Sequence, residues 1–581
     1  MVNDIYDPLT EYENVFRDRF KQEAADTFAE LASEANVDVE ANRETCKQIY
    51  ATEKSLSSVK TRINRWTLWC VLLWLCVVGG IVAAVVSRDE LEMQYEVMIG
   101  VAAFVVMLYL FMRVYPCLKT LKSECNDLSS TVDQLKREAW KQMEPLNRLY
   151  DWDILTRMIS KTVPRLEFDP YFTTQRLADL KQSYNWDDSF NAERSVICSH
   201  SGLINGNPFV ICRTRKMEWG SETYYGSKTI SWTTRERGSD GKYHTVYHSE
   251  TLRASVTAPS PCYLEKTRLI YGNTAAPDLT FSRQMSGLAG NEKSLSYKMT
   301  KRSLRKKARN LSGADFAMLT NEDFEVAFDT SNRNNNQQFA LLFTPLAQES
   351  MLKLLKDNKV GYGDDFEFIK NKMINVIVPD HLQCIDLDMN PKQYRNFDYD
   401  KAKADFYTIN AEYFRAVYFA LAPLLCVPMY QQIRPQSAIY GNDMPRRSSF
   451  WEHEALANFW GQDQFKHPSC VTNCILKTKE CRLGDGKSSI AVYAYGYRTV
   501  QRLTYVSKYG GDGRWHNVPV YWDEYLPVTG QGRINLQEDN SERDDHITQR
   551  QRLEHIDKVL GQAHYSLYRR HIASKIKTLI R

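Results

Sequence analysis

The sequence predicts a membrane-anchored α+β protein: a two-helix transmembrane hairpin, an antiparallel coiled-coil stalk and a β-rich cytoplasmic body. Three observations predict it. Two uncharged apolar runs lie close together in the first fifth of the chain. Apolar residues at heptad spacing flank both runs. Beyond about residue 190 the apolar pattern changes to a period of two, punctuated by Asn-Gly and Asp-Gly turns.

Bulk composition sets the limits. The chain has 581 residues, 25% charged and 43% hydrophobic, enough for several globular units. A net charge of +4 on so long a chain argues against a protein built to coat nucleic acid, and nucleic acid is not expected as a partner. The 13 cysteines are odd in number and lack framework spacing, so they read as reduced and mostly buried. The opening "MVNDIYDPLTEYENVF" is acidic and has no apolar core, unlike a secretory signal.

Residues 1–45 read as an amphipathic helical segment with Phe16, Phe20, Ala24 and Leu31 on one side. Packing against the soluble body is expected of it in preference to lying on lipid. Residues 46–65 form the first stalk helix, where Ile49, Thr52, Leu56, Val59, Ile63 and Trp66 follow steps of three and four. Residues 66–86, "WTLWCVLLWLCVVGGIVAAVV", carry no charge and match the length of a membrane-crossing helix, with Trp66, Trp69 and Trp74 toward one interface. Residues 87–96 are a short external turn. Residues 97–114 are the second crossing, with Arg113 able to snorkel. Residues 115–150 are the second stalk helix, on a seam of Leu118, Leu121, Cys125, Leu128, Val132, Leu135 and Ala139.

Lys54, Lys60, Arg62 and Arg65 precede the first crossing, and Arg113, Lys119 and Lys122 follow the second. The turn sets Arg88 against Asp89, Glu90, Glu92 and Glu96. The positive-inside rule then places a multi-pass protein in the plasma membrane with both termini cytoplasmic. The expected partners are the lipid bilayer and a protein not identified by the sequence; the stalk seam also offers a route to a homo-oligomer.

Residues 151–310 read as a β-rich cytoplasmic domain closed by a basic linker helix. An Asn-Gly turn lies within "GLINGNPFVICRTRKMEW", a long hairpin turns at Asp240-Gly241, and "CYLEKTRLIYGN" and "DLTFSR" read as further strands. The linker's Lys301, Arg302, Arg305, Lys306 and Lys307 could hold phosphates or lipid headgroups, although a solvated helix face explains them more simply. Residues 311–435 read as an α+β domain: a helix capped by Thr320, a strand "FALLFT", a helix opened by Pro345 and a strand "MINVIVP". Within it, Tyr413–Tyr430 is apolar enough for a third crossing, but Arg415, Pro423 and Pro428 favour a buried helix. Residues 436–535 read as a C-terminal β-rich region, and residues 536–581 as a basic amphipathic helix or helix pair.

The order of two apolar spans, then "SHSGLINGNPFVICRT", then "NEDFEVAFDTSNRNNNQQFALLFTPLAQESMLKLL" resembles an uncharacterised bacterial two-span membrane family. That family, a domain of unknown function often found near LemA-type proteins, matches in part over roughly residues 50–380. Phe324, Glu325, Phe328 and the stretch Leu341 to Pro345 carry the resemblance. It implies a membrane-anchored cytoplasmic domain and supplies no reaction, substrate or catalytic residue. The chain departs from the pattern in its Tyr224 to Ala258 hairpin and its additional C-terminal residues.

No motif names a reaction. "FWEHEALANFWGQDQFKHPSC" opens like a zinc-protease helix at His453-Glu454, but the second histidine belongs at 457, which is Ala457. His467, Cys470, Cys474 and Cys481 extend the cluster at spacings that fit no common zinc pattern. "YGGDGRWHNVPVYW" lacks the ending of a phosphate loop and reads as a hairpin turn. Glu480, Asp485, Asp523 and Glu524 are too dispersed to pair, and His244, His248 and His516 have no nucleophile beside them in sequence. The reading is therefore non-enzymatic, a binding or scaffold protein with no catalytic, metal or cofactor residue assigned. Its rivals are a metal-dependent hydrolase using His453, Glu454 and His467, and an anionic-lipid or nucleic-acid binder using the basic linker.

Overall fold

In a computed structural model, the described residues are 5–86, 93–237, 242–309, 316–434, 447–482, 488–538, 548–552, 554, 555, 558 and 567–577. The fold is α+β with two antiparallel sheets. The first contains β1 (Leu166–Phe168), β2 (Arg194–Ile204), β3 (Asn207–Arg237), β4 (Tyr243–Gly272), β5 (Thr280–Arg283), β6 (Phe366–Asn371) and β7 (Ile374–Pro379), in the order β1-β2-β3-β4-β7-β6-β5. The second contains β8 (Ile475–Arg482), β9 (Ser488–Tyr509), β10 (Trp515–Glu538), β11 (Leu567–Arg569) and β12 (Ile572–Lys577), in the order β11-β12-β10-β9-β8.

Both sheets belong to one unit, made of residues 1–24, 152–390 and 409–581. Asn205 and Gly206 both take positive φ, as the tight turn joining β2 to β3 requires. The helix Phe450–Trp460 lies between the sheets' cores. Trp451 and Ala455 join Phe172, Val210 and Ile270, while Leu456 and Ala457 join Leu476, Val492 and Ile534. Apolar residues on both sides of this helix explain the burial of Trp451–Ala457 all the way round. The run Tyr413–Tyr430 is buried core: Phe414, Val417, Tyr418 and Leu421 are buried in the helix Tyr399–Leu425. Phe20 stacks on Phe414 at 4.3 Å, so this part of the N-terminal segment packs on the body.

Several elements differ from expectation. Most of the stretch "FALLFT" is helical, in Asn336–Leu342, where Asn335 caps the helix by accepting from the Gln338 amide at 3.0 Å. The preceding helix is capped by Asn321 rather than Thr320. The strand expected from Cys262 is the end of β4, which continues through Pro259 and Pro261. A two-stranded ribbon has open edges, where a missing amide costs nothing in the ladder. The C-terminal stretch expected to be helical is so only in its first part, at residues 549–552, 554, 555 and 558; its end contributes β11 and β12, because β10 offers a free edge at Arg533–Glu538. The turn at Asp240-Gly241, residues 87–92 of the external turn, and Asp485 lie outside the described residues.

The second unit comprises residues 25–151 and 391–408. The helix Val39–Val86 runs antiparallel to the helix Tyr115–Leu149. Asn42 donates to Gln142 (3.2 Å), Gln142 donates to Thr45 (3.0 Å), and Glu53 pairs with Lys136 (2.7 Å), so one number rises as the other falls. Ile49, Val59 and Val77 are buried on one helix and Leu121, Val132 and Ala139 on the other. Thr52, Leu56, Ile63, Trp66, Cys70 and Leu73 are half-buried between them, which extends steps of three and four from the polar into the apolar part. On the facing side a π-turn at Leu110–Val114 takes up an extra residue where buried positions fall four apart. Residues 391–408 brace the polar end: Tyr50 donates to Asp398 (2.6 Å), Arg43 pairs with Asp400 (2.9 Å) and Asn147 donates to the Asn396 carbonyl (3.0 Å). Among the described residues one helix, Val101–Leu149, is long and apolar enough to cross a membrane.

Candidate functional site

Two strand pairs continue far past their sheets. β2 leaves β3 at Lys216, and β7 reaches β4 only at Leu269–Gly272. From Met217 to Arg237, β3 therefore has β4 as its only described strand partner. At ~3.3 Å per residue this ribbon extends about 70 Å. β9 and β10 likewise pair alone from Gly496 to Tyr509 and from Trp515 to Val528, about 45 Å. An isolated hairpin is marginal in water. Here the two ribbons stack and bury Ile230, Leu252, Ala254, Val518 and Val520, with Tyr224, Trp232, Val256 and Val506 around them.

Their approach is close enough to require glycine. A Cβ on Gly226 would lie 2.0 Å from the Pro519 carbonyl oxygen. Lys228 donates to the Asn517 carbonyl at 3.4 Å, and the Gly511 amide donates to Glu250 at 2.7 Å. His248 stacks on Trp232 at 5.3 Å and lies 2.7 Å from Thr234 Oγ1. His516 lies 3.0 Å from both oxygens of Asp512 and holds that carboxyl below its ordinary value. The arm nevertheless leaves large aromatic groups in solvent: Tyr225 is 80% exposed, Tyr247 83% and Trp515 70%. Exposed aromatic residues on a double-layered ribbon are suited to contact with another molecule.

The residues singled out for metal chemistry are dispersed. His453 is buried, its Nε2 lies 2.9 Å from Ser448 Oγ, and burial pushes its pKa down to about 4. Glu454, next along the helix, faces elsewhere: it accepts from the Val196 amide (3.0 Å) and pairs with Lys477 (2.6 Å), while burial pushes it up to about 7. His467 pairs with its neighbour Ser469 at 2.7 Å. Cys470 and Cys474 are buried with sulfurs 3.7 Å apart, and Cys481 stands farther along β8. Among the described residues, no three His, Cys, Asp or Glu side chains converge as metal ligands.

The basic linker helix, Leu295–Arg309, is partly neutralised. Lys301 pairs with Glu322 (3.1 Å) and Asp323 (2.9 Å), Arg305 pairs with Glu322 (2.6 Å), and Lys307 donates to the Ser331 carbonyl (2.7 Å). Arg302 and Lys306 stay exposed.

A buried ionic clasp had no local signal in the sequence. Arg569 lies 2.5 Å from Glu452 and pairs with Asp388; Arg570 lies 3.6 Å from Glu452. Glu452 also accepts from the Phe172 amide (3.3 Å) and Ser199 Oγ (3.2 Å). Arg570 and His571 form the β11–β12 turn with φ of 46° and 62°, a conformation usually left to Asn or Gly. His571 pairs with Asp153 at 2.5 Å, and Arg552 joins the same carboxylate at 3.1 Å. Closed on every described side by its own partners, the clasp pins the C-terminal strands to the core.

No family model, curated protein or solved structure matches the chain.

Proposed function

We propose that the protein is a two-span membrane scaffold whose soluble body presents the double ribbon to a cytoplasmic partner. The observation that carries this reading is the apolar surface of the antiparallel helices. Leu68, Trp69 and Leu75 on one helix, and Phe104, Phe111 and Met112 on the other, all face outward, at 62% exposure for Leu75 and 68% for Met112. A soluble protein rarely leaves so many large apolar groups contiguous in water, whereas a bilayer covers them without cost. The helices' polar halves then form a coiled-coil stalk, and the lysines and arginines at the boundary keep both chain ends inside. The resemblance to the two-span family is in keeping with this anchor and adds no chemistry.

Binding, rather than turnover, is the role the body supports. The arm joins exposed aromatic side chains to a stiff base, and the polar clusters beneath it are engaged in holding the core together. Orientation is tested by thiol labelling in intact cells. A membrane-impermeant maleimide should label a cysteine substituted at Asp89 at once, and should reach the exposed Cys262 and Cys384 only after permeabilisation. Labelling of Cys262 from outside would refute the topology.

A further inference from the structure

The ribbon β3–β4 sorts its side chains by charge between its faces. Over Ser221–Arg237 and Tyr243–Thr257, even-numbered residues such as Tyr224, Ile230, Leu252 and Ala254 pack toward the second ribbon. Odd-numbered residues face away. The outward positions are only Ser, Thr, Tyr and Arg. Every carboxylate of these strand segments sits in the even register, and each is engaged: Glu222 by Tyr224 (3.1 Å), Glu236 by Thr234 (3.4 Å) and Glu250 by the Gly511 amide (2.7 Å).

The outward cations are spaced with aromatic rings. Tyr225 is followed two positions on by Arg253, which lies opposite Ser227. Tyr247, opposite Thr233, is followed two positions on by Arg235. The same tyrosine-arginine step thus recurs after eight residues, about 26 Å along the ribbon. Neither Arg235 nor Arg253 forms an ion pair among the described residues. Between the two steps the face is paved with hydroxyls, with Thr229 and Thr251 3.1 Å apart, and just before the first step Thr223 and Thr257 are also 3.1 Å apart.

We propose that this face binds single-stranded nucleic acid, RNA or DNA, with Arg253 and Arg235 on phosphates and Tyr225 and Tyr247 stacking on bases. The inference rests on the scaffold reading above and names its partner. Cations without carboxylates match a polyanion, and flat rings at intervals match its bases. The hydroxyl ladder adds donors for phosphate and sugar oxygens. A lipid surface fits poorly, because no aliphatic side chain on this face could enter a bilayer. A folded protein partner would want a contiguous apolar centre, and the tyrosines stand too far apart to form one. The ribbon's twist turns the stripe along its length, which a flexible strand can follow and a stiff duplex cannot. The chain's near-balanced net charge conceals this segregation.

The test uses the full-length protein in lipid nanodiscs. Its probes are fluorescent oligo(dT) and oligo(U) of about 20 nucleotides, a duplex of equal length, and phosphatidylserine vesicles, at about 100 and about 300 mM salt. Expected is binding of one or both single strands over duplex and vesicles. Arg235→Glu with Arg253→Glu should weaken it at least about tenfold and lower the salt slope by about 1.4, at ~0.7 per phosphate. Tyr225→Ala with Tyr247→Ala should weaken binding with the slope unchanged. Arg302→Glu on the linker helix should change nothing. Hydrogen exchange across β4 and β10 confirms that the variants keep the arm folded. Absence of single-strand binding, equal binding of duplex or vesicles, or insensitivity to both double variants overturns the inference. Correct thiol topology with no strand binding removes this partner and leaves the scaffold; labelling of Cys262 from outside removes the scaffold itself.

Discussion

Replacing Gly226 with valine should pry the two ribbons apart. The added Cβ would start 2.0 Å from the Pro519 carbonyl oxygen and 2.9 Å from Val520 Cγ2. Carbon and oxygen need more than about 3 Å, so the layers must separate by at least about 1 Å; such a gap forfeits roughly a quarter to a half of the dispersion attraction across it. Five side chains are buried at this contact. At about 2 kcal/mol for each, the loss comes to about 2–5 kcal/mol of local opening free energy. Backbone amides that exchange by opening of the arm should then exchange about 30-fold faster or more, since ~1.4 kcal/mol is a factor of ten. Hydrogen-exchange mass spectrometry over residues 224–232, 250–256 and 518–522 reads this directly. Gly220 is the control, because a Cβ there meets nothing closer than 3.6 Å, and Gly220→Val should leave exchange unchanged. Rates within about threefold of wild type in Gly226→Val would show that the ribbons do not protect each other, and the arm would lose its claim to rigidity.

Glu452→Gln removes the carboxylate between Arg569 and Arg570 and leaves buried guanidinium groups undercompensated. Urea unfolding should show a loss of about 3 kcal/mol, and a change under about half a kcal/mol would refute the clasp. Lys370 is buried, donates to the Ala275 (3.0 Å) and Lys372 (2.6 Å) carbonyls, and is pushed down to about 7 by desolvation. Between pH 7 and about 10.4 the unfolded chain therefore binds more protons at this lysine than the folded one. Its contribution is complete above the unfolded value and is lost as pH falls toward 7. The stability of wild type minus that of Lys370→Met should accordingly rise by about 1 kcal/mol per pH unit between about pH 7.5 and 9.5, and a flat difference would contradict the assignment.

Local rules made much of the architecture legible. Asn205-Gly206 marks a turn wherever the chain goes, because its positive φ is a property of those residues. Pro345 opens a helix for an equally local reason. The stretch "FALLFT" reads wrongly as a strand because a short apolar run has no period of its own, and the Asn335 cap makes its first part helical. At the C-terminus local pattern held only in part: residues 549–552 are helical as their basic and apolar residues suggest, whereas the open edge of β10 makes Ile572–Lys577 a strand. The clasp shows the same limit, since Arg569 and Glu452 are 117 residues apart and nothing near either one announces the other.

By itself the sequence determined where apolar surface must go. Two uncharged runs, a heptad seam and alternating strands are periodicities of the chain, and burial follows from periodicity. Tertiary structure alone decided that the two hairpins stack into one arm, with Gly226 against Pro519. Only that stacking separates the faces of β3 and β4, turning carboxylates inward and leaving tyrosine and arginine outside. The physical reason is that alternation assigns side chains to two faces without saying which face another layer will cover.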